Sequence, residues 1–174
     1  MKTISSSKGM SRRELLKRCM VVGAGMAVGT SFVAGSTASW AMETTHVAPK
    51  EMATLIQMAR DIYPHDHIGD QYYAAAVKGF DSSDSKDRVA AGVAALDSAA
   101  QASGYADYLS VPWEAKRAEI LRAMEQTSFF QTMRGNLVTG LYNNKDVWPL
   151  FGYEGESYSK GGYINRGFDD ITWI

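Results

Sequence analysis

Met52, Leu55, Ile56, Ala59, Ile62 and Tyr63 recur at intervals of three and four residues. That spacing puts them on one side of a helix, with Pro49 suited to its first turn and Pro64 ending it. A second, shorter helix is predicted over Gln71 to Lys78, with Tyr72, Val77 and Phe80 as its apolar members. Ser82, Ser83 and Asp84 supply capping side chains for a third, alanine-rich helix. Its inner face is Val89, Val93, Leu96 and Ala100, and Gly104 suits its C-terminal cap. Ser110 and Pro112-Trp113-Glu114 open a fourth helix that runs through Ile120, Leu121 and Met124. Phe129, Phe130, Met133, Leu137, Val138 and Leu141 mark a fifth, ending at Asn143-Asn144. No alternating strand pattern competes. The expected fold is all-α, a small bundle of about five helices with a long irregular C-terminal tail.

The tail begins near Asn143, where helical spacing stops. Residues 143–174 number 32 and hold seven aromatics: Trp148, Phe151, Tyr153, Tyr158, Tyr163, Phe168 and Trp173. Gly152, Gly155, Gly161, Gly162 and Gly167 lie between them. Flexible disorder is poor in aromatics, so this composition points to an ordered or partner-ordered segment. The seven aromatics are therefore expected either to wrap the bundle or to anchor a partner, and both roles can coexist.

At the other end, Ser11-Arg12-Arg13-Glu14-Leu15-Leu16-Lys17 precedes an uncharged run, Met20 to Ala34, diluted by Gly23, Gly25 and Gly29. These 15 residues fall short of the roughly 20 that span a bilayer. Arginine pair, apolar run and small-residue exit occur in the order of a twin-arginine export signal. Ser39-Trp40-Ala41 favours cleavage between Ala41 and Met42, and Ser36-Thr37-Ala38 offers an alternative site. The expected organisation is a signal peptide over 1–41, a helical domain over 42–142 and a Gly/aromatic tail over 143–174. The twin-arginine translocase carries folded cargo, so the expected destination is the periplasm.

Removal of 41 of the 174 residues leaves 133, enough for one domain. The whole chain has 18 basic and 19 acidic residues, of which six and one respectively lie in 1–41. The remainder carries 12 against 18, or net −6 with histidine neutral. Such an acidic domain disfavours nucleic acid and anionic membranes as partners. Cys19, the single cysteine, falls in the signal behind charged Lys17 and Arg18, which argues against lipidation. With no Cys-x-x-Cys-His the chain cannot itself hold a c-type haem.

His65-Asp66-His67, with Asp70 nearby, is the one candidate metal-ligating run; the remaining histidine, His46, lies in the linker. It raises the alternative of a free-standing periplasmic metal-dependent enzyme using His65 and His67, against a structural loop beside a helix end. No Gly-x-Ser-x-Gly elbow, dinucleotide fingerprint or P-loop is present. Adjacent Asp169 and Asp170 in an extended tail would point to opposite sides rather than share a substrate. No catalytic, cofactor-binding or metal residue is assigned.

Ala59-Arg60-Asp61-Ile62-Tyr63-Pro64-His65-Asp66, Trp148-Pro149-Leu150-Phe151-Gly152-Tyr153-Glu154-Gly155, and Gly161-Gly162-Tyr163 through Gly167-Phe168-Asp169-Asp170 can now be taken with the arginine motif. Together they resemble the small subunit of membrane-bound gluconate 2-dehydrogenase and related periplasmic sugar dehydrogenases, over most of the chain. The resemblance implies a large subunit of the glucose–methanol–choline type that carries FAD and oxidises a sugar, sugar acid or polyol. In many complexes of that family a multihaem cytochrome c subunit passes the electrons on, with membrane association through the complex. The small subunit of that family has no assigned catalytic residues, and its implied role is to supply the export signal and stabilise the flavoprotein.

Overall fold

A computed structural model describes residues 44–166 and Phe168. The arginine motif (Ser11, Arg12, Arg13, Leu15, Leu16, Lys17), the Ala41/Met42 junction, Asp169, Asp170 and Trp173 lie outside the described residues. The described chain is all-α, with helices α1 (Pro49–Ile62), α2 (Asp70–Val77), α3 (Lys86–Ala102), α4 (Glu114–Met124) and α5 (Ser128–Gly140). No strand occurs among the described residues. Short 3₁₀ turns follow α2 (Lys78–Phe80), precede α4 (Tyr108–Ser110) and punctuate the tail (Trp148–Phe151 and Tyr158–Lys160).

Helix α1 is the hub, because it touches each of the other four. Its inward stripe of Met52, Leu55, Ile56, Met58 and Ala59 is buried. Tyr73 and Val77 of α2, Leu96 and Ala100 of α3, Ile120 and Leu121 of α4, and Met133 and Leu137 of α5 join it in the core. Pro49 occupies the first turn as expected, and Glu51 reaches back to the Ala48 N–H at 2.9 Å. Gly92 lets α3 approach α5 closely: a Cβ there would sit 2.4 Å from the Phe129 ring.

Two helix starts differ from the expectation. Ser82 to Asp84 form a turn closed on the Ser82 carbonyl, so α3 begins at Lys86 behind Ser85 and no side chain caps it. Ser110 belongs to the preceding 3₁₀ turn, where it and Asp107 bond each other's backbone N–H groups, and Trp113 stands at the N-cap of α4. At Ser110 the local turn used the polar side chains before the helix could, and at Ser82 the turn was closed by the backbone itself. The C-terminus of α3 follows its glycine: Gly104 has φ +87, its N–H meets the Gln101 carbonyl, and the Tyr105 N–H meets that of Ala100. That bond pair is the Schellman arrangement. Helix α5 stops at Gly140, short of Asn143, and Val138 faces outward.

Candidate functional site: the face where the tail docks

Pro64 ends α1, and the chain turns through His65 to the buried Ile68. The turn aims the His65 ring at Tyr142, just beyond α5, with Nε2 2.7 Å from the tyrosine hydroxyl. Tyr142 meets Tyr63 edge-on at 5.4 Å between centroids and His65 at 5.7 Å. Phe151 of the tail stands edge-on to both imidazoles, 5.1 Å from His65 and 5.2 Å from His67. Such edge-to-face contacts contribute about 0.5–1.5 kcal/mol each beyond their area. Next to them the Trp148 indole N–H donates to the Tyr142 carbonyl at 2.8 Å, and Val147 is fully buried. The base of the tail is thus part of the bundle.

His65 and His67 are turned towards Phe151, their rings 5.7 Å apart. No group of three or more His, Cys, Asp or Glu side chains among the described residues could hold a metal ion. His46, in the lead-in to α1, is exposed, and its backbone N–H is bonded to Asp81. The contacts the His65 and His67 rings do make are edge-to-face packing on Phe151. Burial, and secondarily the His67 charge, lowers the His65 pKa below the ordinary 6.5. An imidazole depressed in the folded state adds stability that is complete above its unfolded pKa and is lost as pH falls through the folded value. Urea unfolding of the wild-type chain should accordingly show a falling free energy below about pH 6.5 that His65→Gln flattens. Parallel slopes in the two proteins would mean that His65 is solvated.

The residues just before the turn fix α1 on both sides. Arg60 pairs with Asp70 at 2.5 Å and lies over the Tyr73 ring, whose hydroxyl donates to the Tyr63 carbonyl at 2.6 Å. Burial pushes the Tyr73 hydroxyl up to about 12. Asp61 points the other way and is nearly sealed, its side chain 2 % exposed. Arg117 grips it through Nε at 2.8 Å and Nη2 at 3.0 Å, and the Tyr108 hydroxyl donates to it at 2.8 Å. Burial opposes the Arg117 charge, yet Asp61 holds its pKa above the ordinary value. Burial and then the Asp61 charge push the Tyr108 hydroxyl up as well. Nothing in the residue types around Asp61 or Arg117 assigned either a partner. A signal existed: Asp61 follows Met58 by three and Arg117 precedes Ile120 and Leu121 by three and four, so each charge sits on an apolar stripe.

Stretches 59–66 and 148–155, far apart in sequence, meet on this face. No family model, curated protein or solved structure matches the chain. The geometry must carry the assignment.

The six described tail aromatics fall into two sets. Trp148 and Phe151 pack on the bundle, with Tyr153 edge-on to Trp148 at 5.2 Å and partly exposed. Tyr158, Tyr163 and Phe168 are 95 %, 74 % and 75 % exposed. Beyond Gly152 the chain forms a loop whose turns need glycine: Gly152, Gly155, Gly161 and Gly162 all have positive φ. Lys160 and Arg166 both converge on Glu154, and the Gly162 N–H closes onto the Ser157 carbonyl at 2.7 Å. A cleft of about 480 Å³ beside Asp61 and Tyr63, bordered by Arg122, Phe130 and Arg134, opens separately between α1, α4 and α5.

Proposed function

We propose that this chain is a non-catalytic accessory subunit of a periplasmic FAD-dependent sugar, sugar-acid or polyol dehydrogenase. In this scheme FAD resides in a glucose–methanol–choline-type large subunit and, where the complex includes a cytochrome subunit, haem c resides there, with none in this chain. The small subunit binds the folded flavoprotein in the cytoplasm, lends it the twin-arginine signal, and the two cross as one unit. The observation that carries the proposal is the meeting of 59–66 with 148–155 through His65, Tyr142 and Phe151. Those are stretches that resemble the dehydrogenase small subunits, and their contact anchors a tail whose further aromatics face outward. An interaction module uses its surface in this way.

The test is export. Replacing Arg12 and Arg13 together by lysine should drop periplasmic flavoprotein activity to background while the flavoprotein accumulates, folded, in the cytoplasm. Flavoprotein that still reaches the periplasm at the wild-type level would rule out the escort role.

A further inference from the structure

We propose that loop 154–166, with Phe168, is a preformed plug whose exposed Tyr158, Tyr163, Ile164 and Phe168 seat in an apolar groove of the flavoprotein. Glu154 is the positioning residue that holds the plug in shape. The partner's identity rests on the accessory-subunit reading; the plug's form rests on the loop alone.

Three observations converge. First, the four edge side chains are large, apolar or aromatic, and each is more than seven-tenths exposed. Trp148 and Phe151 at the base are occupied by Tyr142, His65 and His67, so the loop separates anchors from contacts. Exposed aromatics grouped on one short loop are the usual anchors of a protein interface. Second, the loop's polar groups close on one another. Glu154 takes both Lys160 and Arg166, Lys145 reaches Glu156 at 3.4 Å, and the Tyr158–Lys160 turn is closed by Gly161 and Gly162. A loop held in its bound form loses less conformational entropy on docking.

Third, this bonding spends the loop's charge on itself. Every basic residue of 145–166 (Lys145, Lys160, Arg166) pairs with an acid of the same stretch. With Asp146, Asp169 and Asp170 also in the tail, it has no surplus of cations for a phosphate headgroup or backbone, which anionic lipid and nucleic acid both require. A second copy is also a poor occupant, since residues 42–174 carry 12 basic against 18 acidic side chains and two copies repel. An apolar groove on a different protein is the complementary surface. Binding there is driven by apolar burial and is not weakened by salt.

The test titrates the full chain against the purified flavoprotein of the source organism by calorimetry. Three exposed side chains are replaced together: Tyr158→Ser, Tyr163→Ser and Phe168→Ser. This variant should keep the wild-type unfolding midpoint and bind at least about 30-fold more weakly. Glu154→Gln keeps every aromatic; it should bind about tenfold more weakly and show faster amide exchange across 157–166. Wild-type affinity should not fall between about 0.05 and about 0.5 M NaCl. If the wild type binds and the triple variant binds equally well, the plug is wrong and the accessory-subunit reading stands. If the wild type does not bind the flavoprotein, both fall together. Loop-dependent binding to phosphatidylglycerol/phosphatidylcholine vesicles, or a loop-dependent dimer in sedimentation, would overturn the proposal by giving the edge another occupant.

Discussion

Asp61→Ala is expected to lower the unfolding free energy by about 3–5 kcal/mol, because it strands a buried guanidinium. Arg117 meets Asp61 through two nitrogens and bonds the Val111 carbonyl at 2.8 Å with a third, so swinging out to water would break that bond as well. Tyr108 and Gln57 donate to the same carboxylate, at 2.8 and 3.1 Å, and lose their acceptor too. A domain of this size is stable by about 5–15 kcal/mol, so the variant should unfold at much lower urea. Arg117→Ala should cost a similar amount by stranding Asp61. The double variant should lose clearly less than the sum, since neither charge is then left alone. A single-variant loss below about 1 kcal/mol would mean that the pair is hydrated and behaves as a surface bridge.

The second large effect belongs to Asp81. Its carboxylate accepts three consecutive backbone N–H groups, from Thr45 at 2.9 Å, His46 at 2.8 Å and Val47 at 3.0 Å. The side chain is 4 % exposed, and Lys78 adds a contact at 3.2 Å. This small anion nest fastens the lead-in to α1 and keeps Val47 in the core. The His46 N–H, with those of Thr45 and Val47 and the Lys78 ammonium, holds the Asp81 pKa well below the ordinary 3.8, against the opposing effect of burial. Asp81→Asn should cost about 2–3 kcal/mol at neutral pH, because bonds to a charged acceptor exceed those to a neutral one. The sign of the pH dependence follows from the depressed pKa. The carboxylate's contribution is complete above the unfolded pKa and is lost as pH falls through the folded one. The gap between wild type and Asp81→Asn should therefore be full at neutral pH and shrink in acid, below about pH 4. A gap that stays constant into strong acid would place the effect in shape, not charge.

These sites have one thing in common with the tail-docking face: none was assigned from the sequence. Ser82 to Asp84 offered good caps and were used in a turn instead. His65 and His67 suggested a metal by type, whereas Phe151, distant along the chain, decided what their rings face. The aromatic tail was legible as a change of composition, but not the boundary within it between anchors and exposed edge. That boundary depends on where Gly152, Gly155 and Gly162 turn the chain, and on Glu154 finding both Lys160 and Arg166.

The sequence by itself determined the five helices and the absence of strands among the described residues, because apolar spacing of three and four is a local property of the chain. It also determined the α3 terminus, since only a residue free to take positive φ suits Gly104. Tertiary structure alone decided which polar and aromatic groups meet. Asp61 and Arg117 are 56 residues apart and His65 and Tyr142 are 77 apart. No local periodicity encodes such a pairing. It is set by the way α1, packed against every other helix, brings their faces together.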